Sequence, residues 1–197
     1  MRDVIAEQKA LALEKFIPIM DDEGSALLVE TVRNEQPEKI LEIGTAIGYS
    51  GTLMLTASPK ATLVTVDIDE ERLSYAEEFF EAAGLSKRVR IIKEDACYLL
   101  TLLEEKFDFV LLDGPKAHYS SMLDYLLKLT TEDATIFVDD VGYLGLVDNG
   151  EYPKHKHRTI VTNMRKFIER VESDATLVSE RYGQGVMIIK KCKNPNC

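Results

Sequence analysis

Short apolar runs alternate with amphipathic stretches along most of the chain. "KILEI" (39–43), "TLVTVDI" (62–68), "RVRIIKED" (88–95), "FDFVLLD" (107–113) and "ATIFVDD" (134–140) are brief and rich in β-branched and aromatic residues, the pattern of buried strands. Between them, "YSGTLMLTAS" (49–58), 69–85, "ACYLLTLLEE" (96–105) and "YSSMLDYLLKLT" (119–130) carry a helical period. In 69–85, Leu73, Ala76, Phe79 and Phe80 share one stripe, and Gly84 stands where a C-cap would. Two helices come first, over 2–15 (apolar at Val4, Ile5, Leu11 and Leu13) and from Asp22 through Ser25 to Val32, with Pro18 breaking the chain between them. A last helix is expected over 156–173, then two strands in "ATLVSERYGQGVMIIKK" joined at "YGQG". The alternation predicts an α/β fold: a mostly parallel seven-stranded sheet with helices on both faces, closed by a C-terminal antiparallel hairpin at one edge.

Composition adds bounds. A chain of 197 residues, 45% apolar and without linker or repeat, reads as one domain over 1–191, with 192–197 as a disordered tail. No run approaches the ~18 apolar residues of a membrane span, and the charged N-terminal stretch lacks a signal peptide's apolar core, so no membrane partner is expected. Cys97, Cys192 and Cys197 are an odd set without metal-ligand spacing, which suggests reduced thiols and a cytoplasmic location. The net charge of −10 weakens non-specific attraction to nucleic acid.

The expected strands share one feature: each ends in or beside an acid, namely Glu42, Asp67, Asp95, Asp113 and the pair Asp139–Asp140. In open α/β sheets the ligand crevice lies beyond the carboxyl ends of the strands, although an acid there also serves to cap the following helix. "ILEIGTAIGYSG" (40–51) places Gly44 and Gly48 directly after Glu42. The dinucleotide fingerprint needs a glycine where this chain has Ala46, which weighs against a nicotinamide or nucleotide-sugar enzyme. A glycine turn behind an acid suits a ligand carrying both an amine and a carboxylate. The helix start near Ser50 can take the carboxylate, and Glu42 can help meet the amine. Asp67 is placed for two ribose hydroxyls, and Asp95 for a base. Amino acid plus ribose describes S-adenosylmethionine.

Asp113, Asp139 and Asp140 form a second constellation. Three carboxylates without His or Cys suit Mg²⁺ or another hard divalent cation. Lys116 follows on the same rim, either as a general base made less basic by a nearby dication or as a plain ion-pair partner of Asp113.

These residues resemble the metal-dependent class I O-methyltransferases, the family of catechol and caffeoyl-CoA O-methyltransferases and their short bacterial relatives. The likeness spans roughly 16–191 and rests on "ILEIGTAIGYS", "VTVDID", "KEDA", "LLDGPKAHY" and "VDDVGYLGLV". It implies a Rossmann-like fold, with the helices of 1–36 capping the cofactor site. It implies that Met20, Glu42, Gly44, Thr45, Gly48, Tyr49, Ser50, Asp67, Ile68, Asp95, Ala96 and Asp113 surround S-adenosylmethionine. It further implies that Asp113, Asp139 and Asp140 bind the metal, that Asp113 and Lys116 are catalytic, and that the enzyme is a homodimer. Asp140 departs from the family, which usually has Asn there; a third carboxylate should tighten a dication and disfavour an incoming oxyanion.

The expected acceptor is a small catechol-like hydroxylated molecule. The basic run of 154–166, with Lys154, His155, Lys156, His157, Arg158, Arg165 and Lys166, keeps a tRNA 5-hydroxyuridine acceptor as an alternative. A protein that binds S-adenosylmethionine without turnover is the other.

Overall fold

The computed structural model describes residues 3–150, 154–183 and 185–192. They fall into two compact units, the first ending at Leu99 and the second starting at Leu100.

The first unit opens with α1 (Val4–Lys15) and α2 (Asp22–Glu35). Asp3 and Asp21 cap them, each accepting a backbone N–H three residues on. β1 (Lys39–Ile43), α3 (Tyr49–Ala57), β2 (Thr62–Asp67), α4 (Glu70–Ala82) and β3 (Val89–Lys93) follow. β1, β2 and β3 run parallel, with Glu42 opposite Thr65 and Asp67 opposite Lys93. α4 buries Leu73, Ala76, Phe79 and Phe80, the stripe expected from the sequence. α3 packs on β2, and α4 on β3. α5 spans Ala96–Leu102.

The second unit contains β4 (Phe107–Leu112), α6 (Tyr119–Leu129), β5 (Thr130–Val138), α7 (Arg158–Ser173), β6 (Leu177–Tyr182) and β7 (Val186–Lys191). β4 and β5 are parallel and end together, Leu112 opposite Val138. β7 runs antiparallel to both β5 and β6, so β6 is the outer strand. The strand order is β3-β2-β1-β4-β5-β7-β6. This is the Rossmann-like, mostly parallel seven-stranded arrangement with a C-terminal antiparallel hairpin.

Several boundaries differ from the sequence reading by a few residues. α5 stops at Leu102, not 105. β5 starts at Thr130, where a helix end was expected. The β-branched pair Thr130–Thr131 favours strand, and a register irregularity between Phe107 and Phe109 absorbs the extra residues. α7 starts at Arg158 behind a 3-10 turn over His155–His157. The reduced-thiol expectation holds for Cys97, which is free, but not for Cys192, which is disulfide-bonded; count and spacing carry no sign of that bond. The tail expected to be disordered lies, from residue 193 on, outside the described residues. Among the described residues no helix is long and apolar enough to cross a membrane.

Candidate active site

In the first unit the site is built on the turn between β1 and α3. Gly44, Ala46 and Gly48 all have positive φ (106°, 44° and 75°), so three of its five residues are left-handed. Gly48 has no substitute here: a Cβ would lie 2.9 Å from the Phe80 ring, at a φ that penalises side chains. Asp67, the last residue of β2, grips the turn from below. Its Oδ2 accepts the Ala46 N–H at 2.9 Å, and its Oδ1 accepts the N–H groups of Ile68 and Asp69 at 2.8 and 3.1 Å.

Glu42 is fully buried. A carboxylate so placed needs hydrogen-bond donors, and two neighbouring hydroxyls serve it. Ser50 Oγ donates to Oε1 at 2.5 Å, and Thr65 Oγ1 donates to Oε2 at 2.6 Å. Thr65 has one hydroxyl proton, already committed to Glu42, so the 2.6 Å contact with Thr45 has Thr45 as donor. Glu42 therefore braces the first turn of α3 against β2. Tyr49 is buried, with the Lys9 ammonium 5.9 Å from its ring centroid. Met20 is buried against Gly24 at the start of α2, and Ala96 is buried at the start of α5. Ile68 is 68% exposed directly after Asp67. Asp95 does what the simpler reading proposed: its Oδ1 caps α5, accepting the Tyr98 N–H at 2.9 Å.

The second unit gathers Asp113, Lys116, Asp139 and Asp140. Asp113 and Asp139 each follow one of the paired residues Leu112 and Val138, and the Asp139 N–H donates to the Leu112 carbonyl at 3.1 Å. Asp140 has φ 52°, a left-handed bend that turns the chain after the strand. Lys116 Nζ lies 3.3 Å from Asp113 Oδ1 and 3.5 Å from Asp140 Oδ2, with 17% of its side chain exposed. Burial favours the neutral amine, but the charges of Asp113 and then Asp140 outweigh it, and the lysine holds its proton above the usual range. By itself the cluster thus opposes the less basic amine expected of Lys116 as a base. Asp139 is pushed up to about 7, first by burial and then by the Asp113 charge. Three carboxylates crowd a single ammonium.

That charge excess and all-oxygen donor set fit a hard divalent cation. Among the described residues no group of three acidic, His or Cys side chains is already arranged to hold one.

Two contributors were not singled out from the sequence. Tyr119, fully buried, donates its hydroxyl to the Leu112 carbonyl at 3.3 Å, and burial together with Asp113, Asp139 and Asp140 raises its pKa well above the usual value. It stands inside "LLDGPKAHY", where its position was the only signal. Gln8 on α1 reaches the glycine turn, and nothing in its helical context marks it. The basic run divides: Lys154, His155, Lys156 and Arg158 are exposed, while Arg165 donates to the carbonyls of Val147 and Leu146 at 2.8 and 3.0 Å.

The sequence profile of the O-methyltransferase family matches residues 4–192. The chain belongs to this family. It is 32% identical over 169 residues to a catechol O-methyltransferase from Niastella koreensis, a match covering 79% of this chain and 75% of that protein. It is 29% identical over 142 residues to O-methyltransferase imqG from Aspergillus flavus, covering 68% of this chain and 57% of that one, so it spans little more than half of the fungal relative's length. Among solved structures, the O-methyltransferase TomG from Streptomyces achromogenes, in complex with SAM, superposes with a TM-score of 0.85 at 23% identity, covering 97% of this chain and 90% of that one. At that identity the superposition speaks for the fold.

Proposed function

We propose that this family member transfers the methyl group of S-adenosylmethionine to a hydroxyl of a small, catechol-like acceptor and uses a hard divalent cation. The observation that carries the reading is the meeting of Asp113, Lys116, Asp139 and Asp140 at the adjacent ends of β4 and β5. The glycine turn, with Glu42 and Ser50 behind it, supports the amino-acid end of the donor, as does the SAM held by the similarly folded TomG. Asp67 still has acceptor capacity for ribose hydroxyls, Asp95 and Ala96 are assigned to the adenine, and Ile68 beside Asp67 to the cofactor.

A divalent cation held by Asp113, Asp139 and Asp140 would polarise an acceptor hydroxyl and offset the carboxylate field on Lys116. Lys116 takes the hydroxyl proton and passes it to solvent. The acceptor oxygen forms a bond to the methyl carbon as the carbon–sulfur bond breaks, and sulfur keeps the electron pair as S-adenosylhomocysteine. No covalent enzyme intermediate is needed. The chain contributes chiefly positioning, which in favourable cases offsets roughly 7–11 kcal/mol of barrier.

The test is transfer of labelled methyl to catechol, and separately to a tRNA containing 5-hydroxyuridine, with wild type and Lys116→Ala. Catechol should be methylated, and Lys116→Ala should lower turnover at least tenfold with donor affinity nearly intact. Transfer to the tRNA alone, with an affinity falling steeply in salt, would replace the small acceptor with the nucleic acid.

A further inference from the structure

The glycine turn is held from two sides, and only one of them is the strand edge. Asp67 secures the Ala46 N–H. On the other side the α1 residue Gln8, fully buried, reaches across 39 residues of sequence. Its Nε2 donates to the Ile47 carbonyl and to Thr52 Oγ1, both at 3.2 Å. Thr52 in turn donates its hydroxyl proton to the Gly48 carbonyl at 2.8 Å. The proton count is closed: the amide nitrogen has two hydrogens and two acceptors, and Thr52 must accept from Gln8 because its own proton is used. The amide cannot be flipped, since its oxygen would then face the Ile47 carbonyl. Two consecutive carbonyls of a left-handed turn are thereby anchored to the N-terminal helix.

The other end of the amide sharpens the point. Gln8 Oε1 is buried and has no hydrogen-bond partner. A buried acceptor without a partner costs stability, so the contribution of this side chain lies in the two bonds its nitrogen donates. What the glutamine gains is the position of the turn, and a backbone held in sparsely populated conformations keeps its shape only when its surroundings over-determine it. The next residue acts in the same sense. Lys9 pairs with Asp22 at the start of α2 and lies against Tyr49. α1 thus ties together the turn, the start of α3 and the start of α2.

From this we infer that Gln8 is a positioning residue for the donor, acting through Thr52 on the Ile47–Gly48 carbonyls. The inference rests on the proposed S-adenosylmethionine site. α1 then works as part of the donor site, although none of its side chains was assigned to the ligand from the sequence.

The experiment is calorimetric titration of S-adenosylhomocysteine into the full chain as wild type, Gln8→Met, Thr52→Val and Thr52→Ser, with thermal unfolding of each and the KM for S-adenosylmethionine measured beside kcat. Gln8→Met and Thr52→Val should weaken binding about tenfold or more and raise KM, with kcat at saturating donor within about twofold of wild type. Thr52→Ser, which keeps the hydroxyl and loses the methyl, should bind within about threefold of wild type. A role in packing alone gives the opposite order, with Val benign and Ser harmful, and that order would overturn the inference. So would unchanged affinity in Gln8→Met. Should Gln8→Met fail to fold, the Thr52 pair decides the matter alone. Wild type that does not bind the ligand at all would remove the donor reading itself, and this inference with it.

Discussion

Gly48 combines a φ of 75° with a missing side chain that faces Phe80, and both demands follow from where the turn must pass. Gly48→Ala should lower unfolding free energy by about 2–4 kcal/mol, from left-handed strain plus overpacking. Urea denaturation measures it; a loss below about 0.5 kcal/mol, the size of an ordinary surface change, would mean that the turn relaxes freely. Asp140 makes a second prediction. Asp140→Asn removes one of three crowded charges and installs the residue usual in the family. Mg²⁺ should bind more weakly, while turnover at saturating metal rises; a metal titration of the rate reads both, and a lower saturating rate would contradict the charge argument. Gly48 was legible because a glycine after a strand advertises a turn, and Asp140 stood out by its charge beside Asp139. Gln8 and Tyr119 were not. A glutamine on a helix or a tyrosine after a motif looks ordinary until the fold brings a distant carbonyl to it.

At the scale of elements, the second unit depends on short polar links that periodicity cannot see. Asp174 accepts both the hydroxyl and the N–H of Thr176 just before β6, and these bonds, the hydroxyl first, hold its carboxyl below the usual range. A lowered folded-state pKa means that the stabilisation is present at neutral pH and is lost as pH falls through the folded value. Asp174→Asn should therefore flatten the acid side of a stability-versus-pH curve, seen as urea midpoints that converge with wild type at low pH. Arg165 should matter more to local order. Arg165→Met frees the Leu146 and Val147 carbonyls, and hydrogen exchange after Asp140 should speed up, whereas Lys156→Ala should leave it unchanged. The strand cores were readable from β-branched runs, and the α4 stripe from its spacing. The start of β5 was not: Thr130 closed an apparent helical run, and only its pairing with Phe107, across the Phe107–Phe109 irregularity, shows that the β-branched preference of Thr130–Thr131 prevails there.

At the scale of the whole molecule, an acidic chain holds its acids at the ends of parallel strands. In the first unit they are spent on hydrogen bonds: Glu42 on two hydroxyls, Asp67 on three N–H groups, Asp95 on a helix cap. In the second they crowd one lysine, and Asp139 moves up to about 7. The strand–helix alternation announced the architecture, but how each acid is partnered depended on hydroxyls and amides supplied by neighbouring strands, and in the second unit the cluster keeps an excess of negative charge over its lysine. The excess is the reason to expect a cation, and the central claim stands on it. The direct test is the rate of methyl transfer to catechol as Mg²⁺ is titrated into chelator-treated protein with S-adenosylmethionine present. The account predicts negligible transfer without the ion and a saturable rise with it; full activity in excess EDTA would contradict it.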